Sequence, residues 1–120
     1  MAASKILDCP FQSLGEGDYH ARLAHALGDA VVLFTHVHCS TCRAWKRLLP
    51  EALSKTVQHF YEVDVALDTG VARYFDIFHL PTIYLYRDGQ FHAELQTEAS
   101  VEAIQRAISQ LFNSAAQEEP

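Results

Sequence analysis

Two cysteines two residues apart, Cys39-Ser40-Thr41-Cys42, follow the apolar run Val31-Val32-Leu33-Phe34 and precede a segment patterned as helix. A strand that hands over to a helix at a cysteine puts that residue in the helix's opening turn. Unpaired backbone N–H groups and the helix dipole favour an anion there. A Cys39 thiolate is therefore stabilised, and the free-cysteine pKa of about 8.5 can fall to roughly 3.5–7.5 in such motifs. Cys42 lies one turn on, close enough to close a small disulfide ring. The pair can attack a disulfide, form a mixed disulfide and resolve it internally. The same spacing also opens many zinc sites, so the rest of the chain decides between the two chemistries.

Around this motif, helical and extended patterns alternate. A short edge strand is expected over 6–11, limited by Pro10. Asp18 can cap a helix over 19–27, with Gly28 as its stop. Residues 30–35 are apolar without alternation, as in a strand covered on both faces. The helix from about Cys39 contains Pro50, which predicts a kink near 46–50 or a restart with Pro50 as first helical residue. A strand over 59–65 and a short helix over 69–75 follow. Asp88-Gly89 between strand-like runs at 83–87 and 90–95 signals a hairpin. Ser100 can cap a last helix over 101–112, with Val101, Ile104, Ile108 and Leu111 on one stripe. Tyr84 and Tyr86 alternate with Ile83 and Leu85, so both faces of that strand are apolar. Trp45 reads as core packing. The order is β-α-β-α-β-α-β-β-α, in which alternation implies a parallel first half of the sheet.

Length and charge bound the function. A chain of 120 residues, 49% hydrophobic, is read as one domain spanning 1–120, with a core over about 6–112 and a frayed tail over 113–120. A net charge of −6 argues against nucleic acid or an anionic membrane as partner. No apolar run reaches the ~20 residues of a membrane span. Residues 1–8 carry one Lys and no long apolar core, so they do not read as a secretory signal, and a cytoplasmic protein is expected. A reducing cytosol makes the paired cysteines catalytic or metal-binding rather than a structural staple. Cys9 is left over, read as a small buried hydrophobe or as a second redox or regulatory thiol.

The order of elements, together with Phe34, Cys39-x-x-Cys42, Val63-Asp64, Leu80-Pro81-Thr82 and the Asp88-Gly89 turn, resembles the thioredoxin family over about residues 18–112. The resemblance implies an α/β thioredoxin fold: a central mixed sheet with a parallel first half and a C-terminal antiparallel hairpin, flanked by about four helices. It implies Cys39 as nucleophile and Cys42 as resolving thiol. It also implies a cis bond before Pro81, with Leu80, Pro81 and Thr82 shaping a site for extended protein substrates. No cofactor is implied. The partners implied are protein disulfides and an electron donor, a thioredoxin-reductase-like enzyme or glutathione. The departures are specific. His38 replaces the usual tryptophan, and Ser40-Thr41 replaces Gly-Pro, the dipeptide that tunes redox poise. Leu33 stands where the family has a buried aspartate that helps proton transfer at the second cysteine, and Phe60 where it has the nearby lysine. Arg47 and Thr97 replace a helix-kinking proline and a late-hairpin glycine.

Seven histidines are present. His36 and His38 would lie on one side of an extended stretch, and His79 would approach the same surface. Each is a solvated loop residue, a tuner of the Cys39 thiol, or, for His36 and His38 with Cys39 and Cys42, part of a zinc set. Tuning by His38 is the expectation, with no metal bound. His20, His25, His59 and His92 are expected on the surface. The chain is expected to be a thiol–disulfide oxidoreductase. The alternatives are a non-catalytic adaptor or assembly factor on the same fold, and a small zinc-binding protein.

Overall fold

The computed structural model describes residues 10–120. Cys9 and most of the strand expected over 6–11 lie outside them. The strand observed is β1, Phe11–Ser13, which starts just past Pro10, a residue without an N–H for the ladder. It is followed by α1 (Tyr19–Ala24), β2 (Asp29–Thr35), α2 (Ser40–Leu53), β3 (His59–Asp64), α3 (Thr69–Tyr74), β4 (Thr82–Arg87), β5 (Gln90–Glu94) and α4 (Val101–Phe112). The sheet order is β1-β3-β2-β4-β5. The first three of these run parallel, and β4 and β5 are antiparallel additions. This is the mixed sheet with four helices that the resemblance implied.

β2 lies at the centre, and Ala30 through Phe34 are each at most 1% exposed. Period-2 geometry splits its side chains between two layers. Val31 and Leu33 join Trp45, Leu49, Leu53, Phe60, Ile83, Leu85, Ile104 and Ile108 under α2 and α4. Val32 and Phe34 join Tyr19, Leu23, Tyr61, Val71, Phe75, Tyr84 and Tyr86 under α1 and α3. One layer is largely aliphatic and the other aromatic.

Local chemistry explains the ends of the elements. Ser100 caps α4, its Oγ accepting from the Ala103 N–H at 3.2 Å. In the hairpin, Asp88 and Gly89 have φ of 52° and 82°, the pair of positive values a type I′ turn needs. A Cβ on Gly89 would sit 3.0 Å from the Ala24 backbone, so the turn also needs glycine for space. Three expectations are corrected. Asp18 does not cap α1; its Oδ1 accepts from the Gly15 N–H at 2.9 Å, and α1 stops at Ala24. Of the kink or restart expected at Pro50, the restart is ruled out: α2 passes through Pro50 as a single helix. Buried Leu49, Ala52 and Leu53 hold both sides of the proline on the sheet. His92 is buried, its Nε2 lying 2.7 Å from the Leu111 carbonyl oxygen and its ring packing on Phe112. Residues beyond Asn113 form no helix or strand, but the Gln117 N–H donates to the β5 carbonyl of His92 at 2.7 Å.

The aromatic layer makes stability depend on alkaline pH. Tyr19 and Tyr86 share a buried hydroxyl–hydroxyl hydrogen bond of 2.8 Å. Burial pushes both phenols well above their ordinary range and pushes Tyr84 up to about 12. The folded values lie above the unfolded value of about 10. Their contribution is therefore complete below pH 10 and is lost as pH rises through the folded values. Phenolate absorbance and circular dichroism, followed together from pH 9 upward, are expected to show these three tyrosines ionising only as the fold is lost. Full ionisation with the native spectrum retained would contradict this.

Candidate active site

β2 delivers the chain to the cysteines through a turn rather than the extended stretch expected. The Cys39 N–H donates to the His36 carbonyl at 3.0 Å, because the backbone must reverse from strand into helix. Nη1 of Arg43 donates to the Val37 carbonyl at 3.1 Å and fixes the turn from the helix side. Cys39 is the N-cap of α2, and its sulfur accepts from the Cys42 N–H at 3.1 Å. A free backbone donor thus points at Sγ, as a thiolate requires. The Thr41 hydroxyl lies 3.6 Å from the same sulfur, and Ser40 is exposed as the first helical residue. Cys39 and Cys42 are joined in a disulfide with Cα atoms 5.2 Å apart. Cys39 is half-buried, whereas Cys42 is 1% exposed beneath it.

The register of β4 brings the second segment to this end of the sheet. Thr82 pairs with Phe34, so Leu80 and Pro81 come just before the strand that borders the cysteine-bearing turn. The Leu80–Pro81 peptide bond is cis. The buried Thr82 hydroxyl donates to the His79 carbonyl at 2.7 Å, and Leu80 packs against the aromatic layer. Around the rim, the His38 backbone N–H donates to Nδ1 of His36 at 3.1 Å, and the two rings lie 5.2 Å apart. His38 and His79 are exposed. Among the described residues no ring nitrogen of these three histidines bonds a cysteine sulfur, and no group of three or more His, Cys, Asp or Glu side chains is arranged to hold a metal ion.

One charged pair, bridging β3 and α2, escaped the sequence reading. Leu33 and Phe60 are buried and apolar, but Leu33 pairs in register with Glu62 of β3. Glu62 meets Lys46 of α2, Oε1 to Nζ, at 2.7 Å, with its side chain only 18% exposed. Two signals were available: Glu62 alternates with Phe60 onto the core face of β3, and Lys46 follows Cys42 by one helical turn.

A sequence model of the family described as Thioredoxin matches residues 11–110. No curated protein matches the chain significantly. Among solved structures, the zinc-bound form of human ERp44 superposes with a TM-score of 0.69 at 23% identity, over 83% of this chain and 31% of that one. Form II of human ERp44 gives 0.68 at 22%, over 87% and 30%. The chain therefore spans about a third of the length of ERp44. A structure giving the basis of the thiol resolving mechanism in yeast mitochondrial 1-Cys peroxiredoxin via glutathione/thioredoxin systems scores 0.66 at 19% identity, covering 83% of this chain and 94% of that one. At these identities the likeness is one of fold.

Proposed function

The chain belongs to the thioredoxin family, and from that membership we propose that it is a thiol–disulfide oxidoreductase acting on protein disulfides. The observation that carries this reading is the contrast between the two sulfurs. Cys39 is half-buried and receives a helix N–H at 3.1 Å, while Cys42 is sealed below it. In the reduced protein the Cys39 thiolate attacks a substrate sulfur and the substrate's other sulfur leaves. Cys42 then attacks Cys39, closes the intramolecular disulfide and releases the second substrate thiol. Leu80, Pro81 and Thr82 offer the backbone beside which an extended substrate lies. A thioredoxin-reductase-like enzyme or glutathione returns the pair to the dithiol, and a reducing cytosol suits that cycle.

Reduction of insulin by dithiothreitol, followed as turbidity, tests the activity. Acceleration by catalytic amounts of the protein is expected; an unchanged time course would leave the adaptor reading in its place. Thiolate absorbance against pH is expected to put the Cys39 midpoint below the free-thiol value of about 8.5. Thr41→Val removes one polar neighbour of the sulfur and raises that midpoint by about half a unit, equivalent to ~0.7 kcal/mol. His38→Ala removes a nearby imidazole and moves it in the same direction. A wild-type midpoint at or above ~8.5 would refute stabilisation by the helix N-terminus.

A further inference from the structure

Resolution requires Cys42 to lose its proton, and Cys42 is 1% exposed, out of contact with bulk water. Leu33 cannot take that proton. The position beside it is different. Glu62 pairs with Leu33 across β2 and β3, and adjacent strands lie about 4.8 Å apart. Lys46 follows Cys42 by four residues on the same side of α2, about 6 Å along the axis. Its Nζ holds Glu62 Oε1 at 2.7 Å. Lys46 thereby ties the carboxylate of β3 to α2, the helix that carries Cys42 one turn earlier. On the reading of the cysteine pair given above, we propose that Glu62, positioned by Lys46, is the base that receives the Cys42 proton during resolution. The family's acid is thus moved one strand sideways, and its cation is moved from the sheet to the helix.

The step balances as follows. In the mixed disulfide, Cys39 is bonded to a substrate sulfur and Cys42 is a thiol. The Cys42 proton passes to the Glu62 carboxylate, directly or through one water. The Cys42 thiolate attacks Cys39 Sγ, the Cys39–Cys42 bond forms, and the bond to the substrate sulfur breaks. The substrate leaves as a thiolate and takes a proton from solvent, and Glu62 later returns its proton to solvent. No electron acceptor beyond the substrate disulfide is needed. Among the described residues, the groups flanking Glu62 include Lys46 from α2, Leu33 from β2 and Ser13 from β1. Of these, Lys46 carries the charge that positions the Glu62 carboxylate.

The test separates this step from protein-substrate activity. The reduced protein in a Cys9→Ser background, which leaves Cys39 and Cys42 as its two thiols, reacts with 5,5′-dithiobis(2-nitrobenzoate), and the second release of thionitrobenzoate reports resolution from pH 5 to 9. Near neutral pH, Glu62→Gln is expected to slow that release about 100-fold relative to the first release and to make it rise tenfold per pH unit, as hydroxide takes over. Glu62→Asp restores part of the rate. Lys46→Met keeps the carboxylate but removes its cation. With the ammonium that positions the carboxylate gone, the second release slows while the first does not. Circular dichroism confirms that each variant is folded. A folded Glu62→Gln with the wild-type rate and profile would overturn the proposal, as would a folded Lys46→Met whose second release keeps the wild-type rate. Failure in the insulin assay with these profiles intact would instead refute the oxidoreductase reading alone.

Discussion

Serine at Cys39 is expected to reduce catalysed insulin reduction by on the order of 10³-fold or more, to the background of dithiothreitol alone. A hydroxyl at the N-cap can still accept the Cys42 N–H, so α2 keeps its start and the fold is retained. The chemistry is what disappears. An alkoxide is inaccessible at neutral pH, and oxygen cannot form the mixed disulfide. Cys42 cannot substitute, because it is buried beneath Cys39 with 1% of its surface exposed. Serine at Cys42 has a different signature. Cys39 remains able to attack, so a first turnover occurs and mixed disulfides accumulate. Non-reducing electrophoresis of the two variants, each mixed with a disulfide substrate, distinguishes them: adducts for Cys42→Ser and none for Cys39→Ser. Substantial activity in Cys39→Ser, or adducts located on Cys42, would reverse the assignment of nucleophile and resolving thiol.

The second large effect is on stability. Leu33 is fully buried, between Glu62 on β3 and Ile83 on β4, in the aliphatic layer with Trp45 and Leu49. Leu33→Asp would restore the acid common in the family but not its lysine, since Phe60 occupies that place. The new carboxylate would sit in an apolar layer beside Glu62, whose cation is already engaged at 2.7 Å. An uncompensated buried charge costs about 3–5 kcal/mol. Burial and the like charge both raise the new carboxyl's folded pKa above the unfolded ~3.9. The protonated acid is the better-tolerated form, so the loss is smaller near pH 4 and grows as pH rises through the folded value. Urea denaturation of both proteins at pH 4 and pH 8 measures this. A loss below ~1 kcal/mol at pH 8 would mean that the layer admits water or rearranges.

The fold was legible because several independent patterns agreed. The uninterrupted apolar run of β2, the Asp88-Gly89 turn, the Ser100 cap and the stripe of α4 are local signals, and each reports on one element. What was missed depends on partners distant in the chain. Asp18 has the right chemistry for an N-cap, but Gly15 competes for the same oxygen at 2.9 Å. His92 looks like an exposed strand residue until the end of α4 returns over it and supplies the Leu111 carbonyl. Pro50 suggests a kink or a restart by local rules, and of the two the restart is absent, because packing on both sides keeps one helix running. In the active site, the cysteine pair was legible from its spacing together with the strand before it and the helix after it. Glu62 was not, because its contact with Lys46 appears only once the register of β3 against β2 and the rotation of α2 are both known.

The contact between the tail and β5 has a consequence for how this molecule meets others of its kind. β5 forms one border of the sheet. A bare border strand exposes a row of donors and acceptors that another polypeptide can zip onto. Here the Gln117 N–H occupies the His92 carbonyl, and the Gln117 side-chain oxygen accepts from the Glu94 N–H at 3.1 Å. One glutamine thus serves as a stopper, imitating the first rung of a neighbouring strand without extending a second one. The outward donor of Glu94 and acceptor of His92 are thus already taken within the chain, by a residue more than seventy positions away from the sulfur chemistry.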